Sequence, residues 1–580
     1  MTSILLSRLK DMGRSCGIAA VLVAGFAAQP AAAAPMSPTA FLALIEEAEA
    51  ETAAKDWKDA ALLWQRAAAA NPTEGRYWSQ LGSALVQLKD HRRAIPALEK
   101  AVELGFGYPE NNAYKIAVAY GHLKDRDNAL RWLEKAYAMQ FILFDLPAKE
   151  EALKFLHSEP RFQALVPIAD TSKMSREEGW RYDIRHLARE IDRLGEAPYR
   201  LKSKAEFERD FAALSARVPQ LTDEQLVLSI SRLVREVGDG HSVAQGMLGP
   251  DTLVSLPVQF YAFEDGVHII SADPKHRDLL GAQLLAMDGR PVEALFEGVK
   301  PYVPRDNEGR WTDLQTSLRL RNTGIMRAFG LVDDARNVAL RLRGLDGKVR
   351  TVRIEADPDP AMFDIWNVRP HPPAWVSLAE TLPGPMPLYL RDAGKRYWFE
   401  YLPAHRTVYF AFNQVRDDPA EPVAAFSRRL EKFIADNPVD RLVIDMRWNN
   451  GGGAHLMTPL IASLLRSEKV NRKGRLFVII GRRVYSAAQV GAAMIERFTN
   501  ATFVGEPTGS SPNFIGEEDA FTLPYSKMMV NISHLAWQGS LPLDRRRWIA
   551  PLIYAPPTFA DYKAKRDAPM EAVLAFPVPK

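Results

Sequence analysis

The chain has 580 residues, of which 47% are hydrophobic and 25% charged, and its formal net charge is +3. That length exceeds what one hydrophobic core supports, so several domains are expected. The near-neutral balance excludes the basic footprint of a nucleic-acid binder, and a single cysteine, Cys16, excludes an internal disulfide framework and a cysteine zinc site.

Residues 1–34 read as a secretory signal, with Arg8, Lys10 and Arg14 in a basic start, "GIAAVLVAGFAA" as the apolar centre and "AAAAP" as a small-residue cleavage site. The apolar run is short for a membrane span, although a retained anchor is the alternative. Cleavage would remove Cys16, so the mature protein would have no thiol. It would also take away three positive charges and one negative, leaving +1. The expected location is periplasmic or secreted.

Across 35–170 three segments align: "KDWKDAALLWQRA", "KDHRRAIPALEKA" and "KDRDNALRWLEKA". They bring Ala60, Ala94 and Ala129 into register, 34 and 35 residues apart, with Trp64, Leu98 and Leu133 following and then Ala67, Ala101 and Ala136. The alanines let paired helices approach and the large residue fills the space between them. This period and pattern, with the W-x2-LG feature in "YWSQLGSAL", resemble tetratricopeptide repeats. The resemblance implies either a concave face for a protein or peptide partner, or a packing scaffold.

Residues 171–250 are predicted helical. "LTDEQLVLSISRLVREVGDGHS" begins at a good N-cap, Thr222, and carries an apolar stripe of Leu226, Ile230, Leu233 and Val237. Gly238 is placed to end the helix with a positive φ. His241 then falls in a tight loop held by a rigid element, where an imidazole can serve as acid or base, or simply cap and solvate the loop. From 251 to 370 the pattern turns strand-like: "LPVQFYAF", "GVHIISA", "VALRLRG" and "VRTVRIEA". "GAQLLAMDGRPVEALF" within it resembles part of a PDZ domain, and "DPDPAMFDIWNVRPHPPAW" reads as a proline-rich linker.

From 371 to 580 strands and helices alternate, which predicts an α/β layer with reactive groups at the carboxyl ends of strands. "RLVIDMRWNNGGG" ends in a glycine-rich tip, and "LFVIIG" runs into "RRVYSAAQVG", a strand-to-helix turn carrying Ser486. Both tips fall at the same end of successive strands.

"DMRWNNGGG", "YSAAQVGAA", "GDGHS" and the tail "YAPPTFADYKAKRDAPMEAVL" resemble, in order, motifs of the C-terminal-processing (tail-specific) serine proteases and their tricorn-core relatives. The resemblance spans about 175–580. It implies an α/β crotonase-like protease core around a groove for an extended peptide, so that with the resemblances above the expected chain is multidomain: an all-α tetratricopeptide-like array, a β-rich PDZ-like segment and that core. It also implies Ser486 as nucleophile and an oxyanion hole from the N–H groups of Ala487 and of Gly451 or Gly452. A peptide would lie along "GEPTGSSPN", where Ser510, Ser511 and Asn513 offer hydrogen bonds. The tail-specific branch uses a lysine about 25 residues after its serine. That count reaches Ser511 here, with no lysine nearby, whereas the tricorn-like branch uses the histidine that matches His241. For the acid behind that histidine, Asp544 lies near the family's glutamate, with Glu517 and Glu518 as alternatives.

The expected activity is an exported serine endopeptidase with peptide or protein substrates, working through an acyl-enzyme on Ser486 with His241 as base. The alternative is an inactive protease-fold protein that binds peptides or ligands. The chain carries no HExxH, P-loop or dinucleotide fingerprint, so neither a metal nor a cofactor is expected.

Overall fold

The computed structural model describes residues 36–578 apart from 142–145, 167, 195–196, 200, 247–251, 315, 317–318 and 360–373. The expected signal segment, Cys16 and most of the proline-rich linker lie outside the described residues.

The chain divides into two units, the first ending at Met139 apart from the short segment Glu151–Leu153. Among the described residues it holds six α-helices, α1 (Pro38–Ala54), α2 (Trp57–Ala70), α3 (Gly75–Gln87), α4 (His91–Glu103), α5 (Pro109–His122) and α6 (Arg126–Ala138). The repeated Lys-Asp pair explains the turns between them. Lys55, Lys89 and Lys124 each take a left-handed conformation with φ of 63, 61 and 58°. Asp56, Asp90 and Asp125 then cap the next helix by accepting from the backbone N–H three residues on. The aligned alanines and large residues are all buried, as close helix packing requires. Gly82 is pressed on Leu98, where a Cβ would lie 2.5 Å from the Leu98 Cγ, so α3 and α4 meet only because that position lacks a side chain. This is a helical repeat array.

In the second unit, after the short helices Leu146–Lys149 and Pro160–Leu165, come α7 (Arg176–Arg193), α8 (Lys204–Arg217) and α9 (Asp223–Arg235), each started by a Ser or Thr capping box. β1 (Val243–Gln245) follows α9. An antiparallel sheet is built from β2 (Val258–Phe263), β3 (Gly266–Ala272), β4 (Gln283–Met287), β5 (Asn337–Arg343) and β6 (Val349–Glu355), with β3 between β2 and β4, and β5 between β4 and β6. The short helices α10 (Val292–Val299) and α11 (Glu308–Leu314) lie in the β4–β5 connection.

From Tyr397 onward the strands among the described residues are β7 (Tyr397–Leu402), β8 (Thr407–Phe412), β9 (Arg441–Asp445), β10 (Leu476–Ile480), β11 (Thr502–Gly505), β12 (Asn513–Thr522), β13 (Met529–Gln538) and β14 (Ile553–Tyr554). Six of them form one sheet in the order β7-β8-β9-β10-β11-β14, antiparallel at the first pair and parallel throughout the rest. Its crossovers are α12 (Val423–Asp436), α13 (Met457–Arg466) and α14 (Ala487–Phe498). β8, β9, β10 and β11 are buried at every position, as the continuous apolar runs of a covered parallel sheet demand. The β12–β13 hairpin forms a separate sheet with β1 on its edge.

Candidate active site

Ser486 stands at the turn between β10 and α14 with φ 54° and ψ −129°, a conformation that non-glycine residues avoid. The turn is closed by the Ala488 N–H bonding to the Tyr485 carbonyl at 3.1 Å. Ala487, Ala488 and Gln489 are buried, so the helix start is fixed from below while the serine stays half-exposed. Its Oγ has no hydrogen-bond partner among the described residues.

The glycine tip after β9 presses against this turn. Gly451 has φ 103°, and a Cβ there would lie 2.8 Å from the Ser486 Cβ and 3.1 Å from the Ala487 nitrogen. Gly452 has φ 137°, and a Cβ there would lie 2.1 Å from the Val415 carbonyl oxygen. Val415 holds the tip on both sides, donating to the Gly451 carbonyl at 2.9 Å and accepting from the Gly453 N–H at 2.8 Å. The Gly451 N–H is taken by Asn449 Oδ1 at 3.0 Å, which removes Gly451 from the expected oxyanion donors. The N–H groups of Gly452 and Ala487 have no internal acceptor among the described residues. The other motif residues of this strand end have structural work: Arg447 bridges Asp445 and Asp567, and Tyr409 donates to Asp445 at 2.7 Å.

His241 arrives from the far side, on the loop between α9 and β1. Gly238 ends the helix region with φ 87°, as its position implied. Asp239 then organises the loop: Oδ1 accepts from the N–H groups of His241 and Ser242 and from Ser533 Oγ at 2.8 Å, and Oδ2 accepts from Ser242 Oγ. Ser533 lies on β13, so the hairpin fixes the loop, and Asp183 of α7 fixes the hairpin turn by accepting from the Tyr525 and Ser526 N–H groups. Burial lowers the His241 pKa to about 4, against the opposing pull of Asp239 and the Ile515 backbone and with help from Arg310. The imidazole is therefore neutral over the physiological range.

The ring bonds to Tyr485, not to Ser486. His241 Nδ1 lies 2.6 Å from the Tyr485 hydroxyl, and no hydrogen bond joins His241 to Ser486. Asp306 stands close by, accepting from the Gly240 N–H at 2.8 Å and from Ser510 Oγ at 2.5 Å. Burial and the neighbouring Asp239 push its carboxyl up to about 7.

The chain aligns with the solved structure of mature CPAF complexed with lactacystin at 12% identity and a TM-score of 0.50, covering 68% of this chain and 97% of that one. The chain shares its fold with mature CPAF. It also aligns with the photosystem II D1 C-terminal processing protease at 12% identity and a TM-score of 0.33, covering 66% of this chain and 94% of that one. With the tricorn protease the identity is 13% and the TM-score 0.32, over 69% of this chain and 36% of that one. The tetratricopeptide-repeat family model matches residues 75–104. No curated protein matches the chain in sequence.

Several expected site residues are used otherwise. Asp544 accepts from Arg546 at 3.1 Å, and the same arginine reaches Glu496. That contact holds the Asp544 carboxyl below the usual carboxylate range, and no hydrogen bond runs from it to His241. Glu517 and Glu518 are exposed on β12, Glu517 with φ 55°. Ser510 is fully buried on Asp306, Ser511 Oγ donates to the Arg547 carbonyl, and Asn513 donates to the Leu541 carbonyl at 2.7 Å while accepting from the Ser540 N–H. These three side chains shape the loop rather than present free donors to a peptide. Tyr485, Asn449, Asp239 and Asp306 were not singled out in the sequence. Tyr485 and Asp239 lie inside the matched motifs, but Asp306 sits in "PRDNEGR", where no local pattern marks it. Among the described residues, no group of three or more His, Cys, Asp or Glu is placed to hold a metal.

Proposed function

We propose that the chain is an exported serine endopeptidase in which Ser486 is the nucleophile and His241 the base. The observation that carries this reading is the Ser486 turn. The strained serine has an unbonded Oγ, and the N–H groups of Ala487 in the same turn and of Gly452 in the glycine tip lack internal acceptors among the described residues. Such a pair is what a developing oxyanion needs, since donors fixed in advance cost no reorganisation when charge appears. Ser486 Oγ adds to the scissile carbonyl as its proton passes to His241. The tetrahedral oxygen is held by the two N–H groups, the amine leaves with that proton, and water then releases the acyl group by the reverse sequence. The six-stranded sheet is read as a crotonase-like core, the antiparallel sheet of β2–β6 as PDZ-like, and the repeat array as a docking surface for a protein partner. The segment 1–34 supports export to the periplasm or beyond.

A second reading, a peptide-binding protein without catalysis, draws on the His241–Tyr485 bond and the distant Asp544. A fluorophosphonate probe separates the two. Covalent labelling of the wild type at Ser486, lost in Ser486→Ala and in His241→Ala, is expected. A wild type that stays unlabelled while peptide binding persists in Ser486→Ala would sink the peptidase reading.

A further inference from the structure

A cavity of about 770 Å³, its mouth included, lies at the carboxyl ends of β9, β10 and β11, where open α/β sheets hold their ligands. It is separate from the nucleophile, since Ser486, Ala487, Gly452 and His241 do not line it. Trp448 enters from the end of β9 and Arg483 from the end of β10, while Tyr261 and Phe263 of β2 close one side and Tyr389 another. The walls are mostly apolar, and the volume is that of a small-molecule site.

Among the described residues four arginines line this space, and three are hydrogen-bonded to carboxylates. Arg447 bonds Asp567 at 2.9 and 3.0 Å, Arg482 bonds Glu506 through Nε and Nη2, and Arg566 bonds Glu571. Arg483 differs. Its side chain is only 14% exposed, its buried Nε makes no hydrogen bond, and the carboxylate it faces, Asp313, stands 3.5 Å away and is shared with Arg310. The Tyr261 and Tyr389 hydroxyls likewise have no hydrogen-bond partner among the described residues. Burial pushes the Tyr261 phenol up to about 12 and raises that of Tyr389 too, so both are neutral donors at physiological pH. All three groups gather round Trp448, whose ring centre is 5.9 Å from the Arg483 guanidinium, 6.4 Å from Tyr261 and 6.5 Å from Tyr389.

A guanidinium only donates, so a molecule that satisfies Arg483 must bring an acceptor. A cation is disfavoured, because Arg447 and Arg482 already lie over the Tyr389 and Tyr261 rings, 4.4 and 5.4 Å from their centres. A phosphate is disfavoured for the opposite reason, since its second charge would meet Glu506, Asp561 and Asp567 in the same space. A carboxylate carries one charge and matches the planar fork of arginine. The aromatic walls in turn suit a flat apolar body.

We propose that this cavity binds a small aromatic carboxylate, with Arg483 holding the carboxylate, the Tyr261 and Tyr389 hydroxyls donating to it, and the rings of Trp448 and Phe263 packing against its body. The site does not depend on Ser486 acting as a nucleophile.

Calorimetric titration of the full-length protein with naphthylacetate, naphthylacetamide and naphthylethylamine tests this. Naphthylacetate should bind, the amide of the same shape should bind roughly tenfold or more weakly, the scale of a charge-assisted hydrogen bond, and the amine more weakly still. Arg483→Gln should erase the preference for the acid while the amide binds as it does to the wild type. Ser486→Ala should bind naphthylacetate as the wild type does. No heat with naphthylacetate, equal affinity for acid and amide, or a preference for the amine overturns the proposal on the wild type alone, whether or not Arg483→Gln folds. Loss of naphthylacetate binding in Ser486→Ala places the ligand at the nucleophile and overturns it as well.

Discussion

The Ser486 turn and the His241 loop are held in place by opposite means. The turn is fixed by backbone conformation within one stretch of parallel sheet: a left-handed serine, two glycines with positive φ, and Val415 gripping the glycine tip. The loop is fixed by side-chain hydrogen bonds to residues far away in sequence, with Asp239 and Ser242 bonded to Ser533, and Gly240 to Asp306. A rigid nucleophile thus faces a base whose placement depends on a network. Changes at the turn should therefore act through sterics and be severe, and changes at the loop should act through lost hydrogen bonds and be graded.

The largest effect is expected at Gly452. Alanine there must hold φ 137° and place its Cβ 2.1 Å from the Val415 oxygen, so the tip has to move. An oxyanion donor displaced in this way costs about 10²- to 10³-fold in rate. Gly452→Ala should cut fluorophosphonate labelling of Ser486 by that order, while far-UV circular dichroism stays close to wild type. Labelling within threefold of wild type would show that the tip is not rigid and break the contrast on the turn side.

Asp239 comes next. Alanine there strands the N–H groups of His241 and Ser242 and the hydroxyls of Ser242 and Ser533 in a buried setting. Each unsatisfied group costs about 1–3 kcal/mol, with some relief from water. Urea unfolding of Asp239→Ala should lose about 2–4 kcal/mol on that basis, and labelling of Ser486 should slow. A loss below about 1 kcal/mol would mean that the hairpin holds the loop without this carboxylate.

The same contrast explains what could be read from the sequence. The turn was legible because its constraints are local: glycines appear where φ is positive, alanines where a helix must start under a strand, and apolar runs where the sheet is covered. The repeat array was legible for a like reason, since the Ala60, Ala94 and Ala129 column and the Lys-Asp pairs state the same packing three times. The loop was legible only as a motif. Its partners Asp306 and Ser533 are brought in by folding from 66 and 291 residues away, and a serine or aspartate in a strand or loop carries no mark of that contact. Gly451 and Gly452 were left as alternatives because choosing between them requires knowing where Asn449 Oδ1 points. Ser510, Ser511 and Asn513 looked available because sequence shows a side chain's capacity to bond and not whether folding has already used it.

A third test probes the loop through pH. The Asp306 pKa is raised from 3.8 to about 7 in the fold, so between those values the folded protein binds more protons than the unfolded chain and stability falls as pH rises. The His241 pKa is lowered from 6.5 to about 4, so there the unfolded chain binds more protons and stability rises with pH over the same range. In the wild type the two slopes oppose each other. Asp306→Asn deletes the first and leaves the second, so its Tm should climb more steeply between pH 4.5 and 6.5 than that of the wild type. Parallel Tm profiles would mean that Asp306 does not titrate in this window.

The smallest effect is expected at Asp544, and it bears on which acid serves the base. Its carboxylate is bound to Arg546, which also pairs with Glu496, and the arginine side chain is 46% exposed. The Asp544 side chain is 11% exposed, but a pair whose cation stands this far in water contributes only about 1 kcal/mol. Because the Asp544 carboxylate is bonded to Arg546 and not to His241, removing it touches neither the imidazole nor the nucleophile. Asp544→Ala should then label at Ser486 within about twofold of wild type, where loss of a true orienting acid would cost orders of magnitude. Asn513 donates to the Asp544 backbone carbonyl, and that bond survives truncation of the side chain, so the loop should keep its path. A hundredfold loss in Asp544→Ala would place the acid on this loop after all and require it to swing toward His241 when substrate binds.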